Sequence, residues 1–70
     1  MLNENKINMI KKMYPAGTKV ELIDMEDTQA PPMGTIGTII FVDAIGQIHV
    51  QWENGSTLAL NYELDEFKIV

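Results

Sequence analysis

The chain has 70 residues, no cysteine, no arginine and a formal net charge of −5, from ten acids against five lysines. That length holds one domain, the absence of cysteine excludes a disulfide-stapled secreted fold, and an acidic surface without the arginine fork speaks against direct binding of nucleic acid. The longest apolar run, Thr38-Ile39-Ile40-Phe41-Val42, is far below the ~20 residues that cross a bilayer, and the start, Met1-Leu2-Asn3-Glu4-Asn5-Lys6, lacks the apolar core of a secretory signal. A cytoplasmic protein with no membrane partner is expected.

Asn3 can cap a helix whose apolar positions Ile7, Ile10 and Met13 or Tyr14 recur at three and four. Tyr14-Pro15 then stops it, because the residue before proline is pushed out of the helical region. Residues 1–14 are therefore predicted as an N-terminal helix and residues 15–70 as a β domain. Charge divides at about the same place. Lys6, Lys11 and Lys12 against Glu4 give residues 1–13 a charge of +2, while Lys19 and Lys68 against nine acids give residues 14–70 a charge of −7. With few apolar positions, the helix reads as an appendage that either caps one end of the β domain or mediates a homodimer.

From Thr18 the period becomes two, with Val20 and Leu22 on one side and Lys19 and Glu21 on the other, which predicts a first strand. Asp24 to Gly34, with three acids and Pro31-Pro32, breaks every pattern and reads as a long loop. Gly37 to Val42 is a β-branched second strand with little exposed face. A turn over Asp43-Ala44-Ile45-Gly46 leads into Gln47-Ile48-His49-Val50-Gln51-Trp52, where alternation is strict. Asn54-Gly55 suits a type I′ turn, so Ser56 to Leu60 is expected to pair as a further strand. Asn61 to Asp65 suggests a single 3₁₀ turn, and Glu66 to Val70 a closing strand with Phe67 and Ile69 inward. The expected core is Val20, Leu22, Ile39, Phe41, Ile48, Val50, Trp52, Leu58, Phe67 and Ile69, with Gln47, His49 and Gln51 exposed. Five short strands, a long loop after the first and a tight turn before the last are what a small closed barrel of the SH3-like kind requires.

The wording of Gly17-Thr18-Lys19-Val20, Gly34 to Ile39, Gly46 to Gly55 and Phe67-Lys68-Ile69-Val70 is similar to the SH3-like repeats of Mind bomb type ubiquitin ligases. Met25 to Pro32 replaces the tryptophan-bearing loop of those repeats, so their ligand preferences do not carry over. A closer resemblance, over Tyr14 to Val70, is to domain of unknown function 4314. It rests on Tyr14-Pro15-x-Gly17-Thr18, Gln29-Ala30-Pro31-Pro32-x-Gly34-Thr35-x-Gly37-Thr38 and Asp43-x-Ile45-Gly46-Gln47-Ile48-His49-Val50. The resemblance implies a short protein of bacteria, plasmids or phages, and it implies no activity.

No catalytic constellation is visible, so no enzyme and no cofactor are expected. His49 is the single histidine and by alternation lies on the outer face, a solvated cross-strand neighbour. Ser56 follows a turn and lacks a nucleophile elbow. Asp24, Glu26 and Asp27 lack the later ligands of a calcium loop, which leaves a solvated acidic loop or an anchor for lysine or arginine. Gly34, Gly37, Gly46 and Gly55 mark positive φ or close backbone contact rather than a phosphate cradle. The reading is a non-enzymatic module that binds a protein or peptide, basic in character, through Asp24, Glu26 and Asp27 together with Tyr14 and Tyr62. The alternative is an acidic inhibitor or decoy that blocks a basic, nucleic-acid-binding surface of a host enzyme.

Overall fold

A computed structural model describes residues 2–70. Helix α1 spans Glu4–Met13, followed by strands β1 (Lys19–Asp24), β2 (Ile36–Val42), β3 (Ile48–Trp52) and β4 (Glu66–Ile69). Asn3 caps α1 as its sequence predicts: the side-chain oxygen accepts the Lys6 amide at 2.8 Å, which satisfies one of the free donors of the first turn. Tyr14 ends the helix in a non-helical conformation. The strands form one antiparallel sheet in the order β3-β2-β1-β4, open rather than closed. The expected closed five-stranded barrel is thus corrected to four strands. Among the described residues no helix is long and apolar enough to cross a membrane.

The missing strand is Ser56 to Leu60, and side chains explain its loss. The Trp52 indole N–H donates to the Leu58 carbonyl at 2.9 Å, and the Leu58 amide donates to Ser56 Oγ at 3.2 Å. Both backbone groups that Leu58 would offer to a ladder are engaged locally. Beyond the hairpin bond from the Trp52 amide to the Ser56 carbonyl, pairing survives at Leu60, which bridges Ile48. Leu58 is accordingly half-buried, while Leu60 joins the core.

The turn before this segment also differs from expectation. The Gly55 amide donates to the Trp52 carbonyl and the Trp52 amide to the Ser56 carbonyl, and positive φ among the described residues is confined to glycines, Gly55 at 91° included. That is a three-residue loop ending in a left-handed glycine, the next commonest hairpin after type I′. Asn54 keeps ordinary φ because Gly55 alone supplies the positive one. Nothing lies within 4 Å of a Cβ built on Gly55, so Gly55→Val is expected to cost about 1–2 kcal/mol of backbone strain alone. An unchanged midpoint of thermal unfolding would exclude this geometry.

Two further expectations fail, one through a break in strict alternation and the other through exposure at a sheet edge. The β2–β3 register shifts between Ile39 and Phe41, so Phe41 pairs with outward-facing His49. Phe41 is therefore 50% exposed rather than core. On the edge strand β4, Phe67 is half-buried and Ile69 55% exposed. Asn61 to Asp65 forms a wider turn than 3₁₀, in which the Asp65 amide donates to the Asn61 carbonyl at 2.9 Å.

The core is Ile10, Val20, Leu22, Ile39, Ile48, Val50, Trp52 and Leu60. Ile10 comes from α1 and is fully buried in the core cluster, so the helix, which meets the sheet at β2, belongs to the core. Gly37, opposite Trp52 in the register, makes room for the large ring. A Cβ there would run into Val50 Cγ1 and stand 2.7 Å from Trp52 Cε3. Its role is close side-chain approach, with no positive φ.

Candidate functional site

The long loop is braced by its own polar groups. Asp27 Oδ1 accepts the Gln29 amide at 2.7 Å and the Asp27 carbonyl accepts the Ala30 amide at 3.0 Å. Pro31 is buried, and the loop's exit is stitched to β1 where the Gly34 amide donates to the Leu22 carbonyl at 2.7 Å. Glu26 and Asp27 stay exposed on this frame.

Across from them stands the turn 61–65. Asp65 Oδ2 accepts the Asn61 amide at 2.7 Å, while Asn61 Oδ1 accepts the Glu63 and Leu64 amides at 2.9 and 3.2 Å. These reciprocal bonds fix the turn and hold Leu64 out in solvent, 81% exposed. Two shallow basins meet at Leu64. One, of about 370 Å³, runs between Glu26 and Asp27 on one bank and Asp65 on the other, over Met25 and Leu58. The other, of about 470 Å³, is lined by Leu2, Ile45 and Glu63. Ile45 is itself 66% exposed. The result is a shallow groove, mixed in character between the acids and more apolar beside Ile45 and Leu2, with an acidic rim, a combination suited to an apolar side chain beside lysine or arginine.

Of the residues expected to form the site, Glu26 and Asp27 line this groove. Asp24 lies outside it, exposed at the end of β1 opposite Glu66. Tyr14 and Tyr62 are together but line neither basin: their ring centroids are 6.2 Å apart, Tyr14 packs on Phe67 at 5.3 Å, and Lys6 Nζ sits 5.5 Å from the Tyr62 centroid. Burial, and then the neighbouring Tyr62, push the Tyr14 phenol above its ordinary value. Sequence reasoning missed Leu64, Ile45, Leu58, Glu63 and Asp65. Leu64, an isolated apolar residue within a polar turn, was the one legible signal.

His49 is not the solvated neighbour that alternation suggests. Its ring stacks on Phe41, with centroids 4.3 Å apart and planes within 4°, and its Nε2 lies 2.8 Å from Asp43 Oδ2. Asp43 Oδ1 accepts the amides of Ile45 and Gln47 at 3.1 and 2.9 Å. Burial pushes the Asp43 carboxyl up, but the His49 bond and the two amides outweigh it and hold the group below its ordinary value of 3.8. A depressed carboxyl contributes stability that is complete above the unfolded-state value and is lost as pH falls through the folded one. Asp43→Asn should therefore be less stable than wild type near neutrality, and the gap should shrink as pH falls below the ordinary carboxyl value of 3.8. Urea midpoints measured across the acid range test this; a constant gap would remove the carboxylate's charge from the account.

Ser56 Oγ is used by the Leu58 amide. Among the described residues no group of three or more histidine, cysteine, aspartate or glutamate side chains is arranged to hold a metal ion.

Fold and groove define a small β-rich domain: an open four-stranded antiparallel sheet with an N-terminal helix that contributes to its core, and an acidic-rimmed groove beside the long loop. The chain belongs to the family described as Domain of unknown function (DUF4314), whose model matches residues 3–70. No curated protein and no solved structure matches it.

Proposed function

We propose that the protein is a non-enzymatic binding module whose groove around Leu64 receives a segment of a protein partner carrying an apolar side chain next to lysine or arginine. The observation that supports this is the fixed exposure of Leu64 between acids on both banks, Glu26 and Asp27 facing Asp65. A large apolar residue held in water by a braced turn lowers solubility and contributes favourably only when covered. Kinship with SH3-like barrels is part of the same reading. It is supported by the strand order and by the Leu60–Ile48 bridge, which sets Ser56 to Leu60 along the outer side of β3 where a fifth strand would run. A cytoplasmic setting fits the absence of cysteine.

The second reading, an acidic decoy for a basic surface, is favoured by the −7 charge carried by residues 14–70. The two differ in what they need. Captured partners should be lost with Leu64→Ala under the groove reading, and affinity should survive moderate salt. A decoy should tolerate Leu64→Ala and lose affinity steeply as ionic strength rises. Titrating the partner against wild type, Leu64→Ala and the Glu26→Gln/Asp27→Asn pair at two salt concentrations decides. An unchanged affinity for both variants removes the groove from the function.

A further inference from the structure

The sheet ends on β4, and the pairing pattern identifies which of its backbone groups are free. The Val70 amide donates to the Lys19 carbonyl at 3.1 Å, so Lys19 and Val70 are a hydrogen-bonded pair of the β1–β4 ladder. Such pairs alternate along an antiparallel ladder. With Val20 opposite Ile69, Glu21 opposite Lys68 and Leu22 opposite Phe67, the amides and carbonyls of Phe67 and Ile69 point away from β1. No described strand lies on that side, whereas the opposite edge, β3, is met by Leu60. Ile69 remains 55% exposed although it shares a face with buried Val20 and Leu22. An edge with outward donors, outward acceptors and uncovered apolar surface is a template for another strand.

We propose that the occupant is a second copy of this chain, its β4 antiparallel to the first about a two-fold axis through Phe67. Charge selects this register. In an antiparallel seam the outward-pointing residues must face one another, which places the axis at Glu66, Phe67, Lys68 or Ile69, and an axis at Glu66 sets two carboxylates directly opposite. An axis at Lys68 sets two ammonium groups directly opposite, and an axis at Ile69 sets Lys68 against Val70. The axis at Phe67 alone puts Glu66 opposite Lys68 of the second copy, and symmetry makes the pairing twice. The ion pair that Lys68 makes within its own chain, with Glu21 at 4.0 Å, is exposed and of little value, so it does not compete. A seam this short buries far less than the ~1,200 Å² of a stable complex. The dimer is accordingly weak and forms with rising concentration.

Sedimentation equilibrium over a series reaching about 1 mM reads the result directly. Wild type should pass from monomer to dimer, and Glu66→Lys, which opposes like charges at both symmetric positions, should raise the dissociation constant by about tenfold or more. Glu66 faces Asp24 across the β1–β4 ladder, so the same substitution leaves the monomer at least as stable in thermal unfolding, and loss of dimer cannot be ascribed to loss of fold. Combining Glu66→Lys with Lys68→Glu should restore the dimer. Ile69→Pro, which removes an outward donor while sparing the inner ladder, should abolish it. A wild type that stays monomeric throughout, a Glu66→Lys variant that dimerises equally well, or a double exchange that stays monomeric overturns the proposal.

Discussion

Trp52→Ala is expected to cost about 3–5 kcal/mol and to leave the domain unfolded at ambient temperature, since small domains hold only about 5 kcal/mol in total. The ring is the largest side chain of the core and is fully buried. It lies against Gly37, whose missing side chain is the space the ring occupies, so no neighbour can collapse into the vacancy without moving strand backbone. The indole also organises the segment beyond the Asn54-Gly55 turn, because its N–H holds the Leu58 carbonyl. Trp52→Phe separates the two roles. It keeps most of the buried area and leaves the part-buried carbonyl unpaired, for about 1–3 kcal/mol. Circular dichroism during urea unfolding gives both values, and a cooperative Trp52→Ala variant close to wild-type stability would falsify this account of the core.

The second large effect belongs to the helix. Ile10→Ala should cost about 2–5 kcal/mol, because Ile10 is fully buried in the sheet's core although it is the one buried residue of α1. Met13→Ala, about one turn on and 42% exposed, should stay within about 0.5–1 kcal/mol. Removing residues 1–12 takes away Ile10 together with Leu2 and Ile7, whose side chains would abut a Cβ at Gly46. The truncated chain should lose cooperative unfolding. A truncated protein that retains the β signal and a sharp transition would return the helix to the status of an appendage.

The parts of this fold that were legible in the sequence are those whose cause is local. Asn3, the 3–4 spacing up to Tyr14 and the Pro15 stop define α1 within one turn of chain, and the alternation of Ile48, Val50 and Trp52 defines β3. What escaped depends on groups that meet only after folding. Ser56 to Leu60 has the composition of a strand, and its ladder is lost to the Trp52 indole and the Ser56 hydroxyl. Phe41 is apolar and in phase by simple counting, yet the register shift at its amino side turns it outward onto His49. Ile10 reads as one apolar helix residue among several, and only docking shows that it fills the core. The site divides in the same way. Glu26 and Asp27 could be read from an irregular acidic loop, whereas the opposite bank comes from a turn more than thirty residues later in the sequence, fixed by the Asn61–Asp65 bonds. Tyr14 and Tyr62 do meet, but as packing partners, with Tyr14 also on Phe67, rather than beside the acids.

The strand order has a kinetic consequence. β1 sits inside the sheet between β2, which follows it after one loop, and β4, which arrives only after everything from Met25 to Asp65. Closing a loop costs entropy that grows with the logarithm of its length, about 0.6 kcal/mol per doubling, and the β2–β3 hairpin closes over a far shorter stretch than the β1–β4 pair. The hairpin with β1 laid beside it is therefore the less costly nucleus, and β4 docks after the barrier. Substitutions in the β2–β3 turn should slow refolding, while those on β4 should chiefly quicken unfolding. Stopped-flow measurement of Asp43→Ala, which removes the bonds to the Ile45 and Gln47 amides within the turn, and Phe67→Leu on both limbs of the denaturant dependence distinguishes this order from its reverse, in which weakening β4 would slow refolding instead.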